Sequence, residues 1–197
     1  MNNMPEKYEK VVHPPIYKKG GDVALWGKHP VARIIFDGIF DWEGLYEFIV
    51  EWYKNRRYYF EEADYKYKVP TMYGTEEEFK WSGWRNVTDY YRYWVHLYIH
   101  TFDTRKIEVV ENGKKKTMYR GRFILEFRGV VETDYQGRFK DSLFAHNVKG
   151  FLDRFIFFKP MDVVWNDRLY YIILKFHARV KEHVDMTSKG HAYEDVW

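Results

Sequence analysis

Residues 90–102 read YYRYWVHLYIHTF. With a period of two, Tyr93, Val95, Leu97 and Ile99 take one face of a strand, while Arg92, Trp94, His96, Tyr98 and His100 take the other. The first face is core. The second is aromatic and hydrogen-bonding, a face suited to cover by a helix or another chain, to a ligand, or to the bases of a nucleic acid.

The segments on either side extend this strand into a sheet. Residues 105–111 and 114–132 flank Asn112-Gly113, the strongest short hairpin signal. Phe123, Leu125, Phe127 and Val131 give the second arm an inward face, and Arg120, Arg122, Glu126, Arg128 and Glu132 face the other way. The arms are unequal, so the longer one also pairs elsewhere. Upstream, residues 58–69 alternate, with Tyr65, Tyr67 and Val69 opposed to Asp64, Lys66 and Lys68, and Pro70 and Gly74 mark the end. Residues 77–87 form a further strand. There Phe79 and Trp81 share a parity that Trp84 breaks after Ser82-Gly83, which predicts a β-bulge.

Residues 31–40 predict a short strand broken at Asp37-Gly38. Asp41 then caps a helix, Glu43 favours its dipole, and Trp42, Leu45, Tyr46, Ile49, Trp52 and Tyr53 form one apolar stripe through about Asn55. Asp141 or Ser142 opens a second helix carrying Phe144, Val148, Phe151, Leu152 and Phe155, which Pro160 stops. Asp162 caps a last, longer helix with Trp165, Leu169, Ile172, Ile173, Phe176, Val180 and Val184 at helical spacing. The predicted class is α+β: a twisted antiparallel meander of about five or six strands, packed by a helix from the N-terminal half and by one or two C-terminal helices.

Residues 1–30 read as an extended arm, because Pro5, Pro14, Pro15, Pro30 and Gly20-Gly21 oppose any regular element. Its apolar residues Val12, Ile16, Tyr17, Leu25 and Trp26 are suited to pin it to the domain or to a neighbour. Pro14-Pro15-Ile16-Tyr17 also matches the PPxY pattern of polyproline II ligands, a four-residue match that chance supplies easily. A single domain is expected over 31–186, followed by an extended tail at 187–197 with Tyr193 and Trp197.

The 32 basic and 29 acidic residues of the 197-residue chain nearly cancel, which opposes a nucleic-acid binder driven by overall charge and leaves only a local patch. The absence of cysteine excludes disulfides, thiolate metal sites and a cysteine nucleophile. No apolar run suits a transmembrane helix and the N-terminus has no signal-like segment, so a soluble protein is expected, cytoplasmic or part of a virus-like particle. Aromatic residues make up 21% of the chain, enough either to fill a core with rings or to build extensive interfaces.

The order of strand, helix, meander and long last helix resembles the helix-grip arrangement of START-like proteins, which implies a curved sheet around the last helix and an apolar cavity. Phe40-Asp41-Trp42-Glu43-Gly44-Leu45-Tyr46, Thr133-Asp134-Tyr135-Gln136-Gly137-Arg138-Phe139, Leu169-Tyr170-Tyr171 and residues 186–193 resemble conserved proteins of uncultured archaea and of environmental, partly viral, genomes. That second resemblance implies no activity and no site residue.

Catalytic signals are absent from the sequence. His96 and His100 share a face but stand about 13 Å apart along a strand, too far to chelate one ion without another strand. His177 and His183 do not share a helix face. Ser82, Ser142 and Ser188 lack a nucleophile elbow, and Gly20-Gly21 lacks the context of a phosphate loop. The run Glu76-Glu77-Glu78 reads as a solvated turn. No cofactor, metal site or catalytic residue is therefore expected.

A basic cluster stands out instead. Arg105, Lys106, Lys114, Lys115, Lys116, Arg120 and Arg122 gather in one hairpin near Trp94, Tyr98 and Tyr119. They suit either phosphate contacts beside stacking rings or the protection of an edge from aggregation. Three functions follow as expectations. The first is a non-enzymatic interaction or structural subunit, docking on other proteins or copies of itself through arm, tail and the face of Trp94, His96, Tyr98 and His100. The second is a single-stranded nucleic-acid-binding module using the hairpin and that face. The third is an apolar-ligand carrier between sheet and last helix, without membrane insertion.

Overall fold

A computed structural model describes residues 23–24, 30–111, 114–137 and 161–186. The α+β expectation holds. Strands β1 (Val23–Ala24), β2 (Ala32–Phe40), β3 (Tyr59–Thr71), β4 (Gly74–Asn86), β5 (Tyr91–Glu111) and β6 (Lys114–Thr133) form one six-stranded antiparallel sheet. β6 is the hub. It pairs with β5 along one side and with β2 and β1 along the other, and β4 and then β3 follow beyond β5. Helices α1 (Trp42–Asn55) and α2 (Asp167–His183) pack on one face, consistent with a helix-grip-like arrangement.

The period-two reading of β5 is realised. Tyr93, Val95, Leu97 and Ile99 are buried beneath the helices together with Phe123, Leu125, Phe127 and Val131 of β6. Asp41 caps α1 through the amide of Gly44, at 2.9 Å. Leu45, Ile49, Trp52 and Tyr53 of α1 meet Leu169, Ile173, Phe176 and Val180 of α2 across the core, where the Trp52 and Phe176 rings stack 3.7 Å apart. Rings fill this space, each fully buried one contributing about 1.5–3 kcal/mol over exposure.

Several expectations are corrected. β2 runs unbroken through Asp37-Gly38, because Gly38 pairs with Gly121 inside a continuous ladder. β3 continues past Pro70. It is an edge strand, which tolerates a residue without an amide proton, and its register with β4 shifts between Lys68 and Thr71. No bulge occurs at Ser82-Gly83, whose register with β5 is continuous. Gly83 instead makes room for α1: a Cβ there would lie 2.3 Å from the Tyr53 ring, whose hydroxyl donates to the Val95 carbonyl at 3.1 Å. Trp84 thus belongs to the outer face by ordinary alternation.

The irregularities lie elsewhere. One is in β3 between Glu62 and Asp64, and another is at Asp103-Thr104, where two residues of β5 oppose Gly121. Asp103 takes φ 52° there, and Gly74 and Gly121 approach the bulged backbone so closely that a Cβ would lie 2.5 Å from Asp103 C and 2.9 Å from Thr104 Cα. Residues 105–111 are therefore the far half of β5, not a separate arm. α2 is entered through a π-helical turn, Met161–Asn166, so its N-cap position is Asn166 and not Asp162. Within the expected arm, Val23 and Ala24 pair with Val131 and Val130. Val12, Ile16, Tyr17, Leu25, Trp26, Tyr193, Trp197 and the predicted helix after Asp141 lie outside the described residues.

Candidate functional site

The outer face of the sheet is built from even-numbered residues of β4 and β5. Trp94 is 1% exposed and its indole N–H donates to Glu132 at 2.8 Å. His96 is buried as well, and its Nδ1 meets Ser82 Oγ at 2.6 Å. Burial, with the Arg128 charge adding to it, pushes the His96 imidazole down to about 3. Serine and histidine at this distance look like a nucleophile and its base. At 2% and 8% exposure, with the Trp94 ring stacked beside the imidazole, the pair is closed to a substrate. Tyr98 and His100 are half-buried. The face is thus a buried hydrogen-bonded layer at Trp94 and His96, not an open stacking platform.

Farther along the same face, the strands bring together what linear spacing kept apart. Donor atoms of Glu76, Glu78 and His100 lie within 4.8 Å of one another, a geometry within reach of one ion. Lys68 already stands there, its Nζ 2.5 Å from Glu76 and 3.6 Å from Glu78, and His100 Nε2 is 2.6 Å from Glu76. The ammonium holds the Glu76 carboxyl below its usual range, with His100 contributing. The group is an ion-pair network whose cation is a lysine.

Most of the basic hairpin's described side chains are likewise partnered. Lys115 pairs with Glu108 at 3.0 Å, and Lys116 with Asp41 at 2.8 Å. Arg105 donates to the carbonyls of Met72 and Tyr73, both at 2.7 Å. Lys106 lies over Tyr119, and the Arg122 guanidinium lies 4.7 Å from the Phe102 ring centre. Arg120 is exposed, and of Lys114 only its backbone pairing with Glu111 is described.

At the opposite end of the sheet a surface cavity of about 470 Å³ opens, lined by Arg57, Tyr59, Trp84, Arg85, Asn86, Val87 and Arg168. Three element ends create it: the turn from α1 into β3, the close of β4, and the start of α2. Arg56 ends α1, and Arg57 takes φ 57°, a left-handed conformation usually left to glycine at this position. Arg57 donates its amide to Lys54 O and Tyr58 to Tyr53 O, both at 2.9 Å, which fixes the reversal.

The side chains of this cleft are set from below. Arg85 lies over the Tyr58 ring at 4.9 Å and donates to the Arg56 carbonyl at 3.2 Å, while its buried Nε has no hydrogen-bond partner. Trp84 packs against Tyr59 at 5.4 Å, and Arg92, held over both Trp84 and Tyr135 at 4.3 Å, donates to Asn86 at 2.8 Å. Burial, reinforced by the like charges of Arg179 and Arg85, pulls the Arg56 guanidinium below its ordinary value. Among the described residues no carboxylate lies within 4.0 Å of Arg57, Arg85 or Arg168.

No family model, curated protein or solved structure matches this chain. Its chemistry follows from its own residues, and the cleft combines, among the described residues, three arginines without a carboxylate partner, an exposed ring and a cavity of ligand size. Sequence reading missed it because its residues are scattered from position 57 to 168. The available signals were two doublets at element ends, Arg56-Arg57 before Tyr58-Tyr59 and Trp84-Arg85.

Proposed function

We propose that the protein is a non-enzymatic binding module for single-stranded nucleic acid, and that it uses the arginine cleft in place of the basic hairpin. The observation that supports this most is the convergence of Arg57, Arg85 and Arg168 on one cavity beside Trp84 and Tyr59, with no carboxylate within 4.0 Å of them among the described residues. Guanidinium groups recognise phosphate oxygens in a planar fork, and exposed rings stack bases of any sequence. Tyr59 is 56% exposed and offers such a surface. An apolar carrier is less well supported, because Trp52, Phe127 and Phe176 occupy the space between sheet and α2.

The test is fluorescence anisotropy with mixed-sequence DNA and RNA 20-mers between 50 and 300 mM salt. Three phosphate contacts on a single strand give a log–log salt slope of about −2. Tyr59→Ala weakens binding by roughly tenfold, the scale of one lost base stack. Absence of binding at 50 mM salt sinks the proposal.

A second reading, a structural subunit, is favoured by the exposed side chains of the β3 edge: Tyr59, Tyr65 and Tyr67 on the strand, with Met72 and Tyr73 in the turn beyond it. Pro70 and the irregularity before Asp64 interrupt the edge ladder, so the strand offers rings more than continuous backbone. Light scattering on the full chain and on a chain lacking residues 1–27 tests it. A monomer in both cases counts against assembly.

A further inference from the structure

We propose that the cleft takes a phosphate monoester attached to a nucleoside, the chemistry of a phosphorylated strand end or a free mononucleotide. The inference rests on the nucleic-acid reading above and narrows it. Its first support is shape. Binding along a strand needs a basic track with rings at intervals, whereas here three arginines converge on one compact cavity at the end of the sheet.

Charge supports it further. An internal phosphodiester carries a single negative charge. A monoester carries nearly two at neutral pH and presents three strong acceptor oxygens, a closer match for three converging guanidinium groups. At the other end of the sheet Lys115 and Lys116 each have a carboxylate. Among the described residues, Arg57, Arg85 and Arg168 have none within 4.0 Å.

Preorganisation points the same way. Arg85 is anchored on Tyr58 and on the Arg56 carbonyl, with its buried Nε still unsatisfied. Arg57 holds a backbone conformation that costs an L-residue about 1 kcal/mol. Asp167, in the first turn of α2, is not among the lining residues. Tyr59, exposed at the rim, is placed to stack the base that follows the phosphate.

The experiment compares one DNA 10-mer in 5′-phosphorylated, 3′-phosphorylated and unphosphorylated forms, each bound to the full chain and to Arg168→Gln. Arg168 is exposed, so this variant folds. Expected is a preference of about tenfold or more for one phosphorylated end, erased in Arg168→Gln. Competition with AMP distinguishes the sources: full displacement at matching concentration identifies the free nucleotide, weak displacement identifies the strand end, and either outcome supports the monoester site. Equal binding of all three oligomers overturns the inference and leaves nucleic-acid binding standing. Failure of every oligomer to bind overturns both.

Discussion

At the hairpin end of the sheet, Lys115 and Lys116 face Glu108 and Asp41, and Arg105 caps the carbonyls of a turn. At the other end, Arg57, Arg85 and Arg168 surround a cavity and face no carboxylate among the described residues. The hairpin is the denser basic stretch in sequence, yet two of its lysines are neutralised in place, and its remaining cations line no described cavity. What sets a local field is the number of cations left after the nearest acceptors are subtracted. A run of lysines says nothing of the second quantity.

The largest expected effect tests this contrast directly. Replacing Arg85 and Arg168 together by alanine lowers affinity for a phosphorylated 10-mer by about a hundredfold, since charge-assisted bonds are the strong ones. Replacing Lys115 and Lys116 leaves it within about twofold. Anisotropy titrations of both double variants decide, and the reverse ranking breaks the comparison.

Between the two ends, His96 predicts an acid sensitivity. The unfolded imidazole takes a proton near pH 6.5 and the folded one only near 3, so stability is full above 6.5 and falls as pH drops toward 3. From pH 8 to 5 the loss is about 2 kcal/mol, read by urea unfolding. His177, also lowered by burial, adds a smaller part of the same sign. The His96→Gln variant loses most of this slope. An NMR titration of wild-type His96 with a midpoint near 6.5 refutes the account even if the variant fails to fold.

The smallest effect sharpens the comparison. Arg57→Gly relieves the left-handed backbone and raises stability by about 0.5–1 kcal/mol, while affinity for the phosphorylated 10-mer drops severalfold. A thermal melt and one titration check it. If affinity is unchanged, Arg57 is only a turn residue and the cleft has two working cations.

The strands were legible because alternation is local. Tyr93 to Ile99 named the buried face of β5 without reference to anything distant, and Asp41 announced α1 in the same way. The misreadings arose where a local sign had a distant cause. Ser82-Gly83 looks like a bulge until Tyr53 is seen filling the space above Gly83. The break expected at Asp37-Gly38 vanishes because Gly121 lies opposite. The cleft is the extreme case, since Arg57, Arg85 and Arg168 become neighbours only once the end of α1, the end of β4 and the start of α2 meet at the same edge.

The Tyr53 ring in the notch above Gly83 has a further consequence. Tyr53 lies four residues before Arg57, and Gly83 lies two before Arg85, so one contact gauges where both element ends fall. The spacing of the two guanidinium groups is thus calibrated by a glycine that no ligand touches. Sequence drift that fills the notch would put the cleft out of adjustment without altering any residue that lines it.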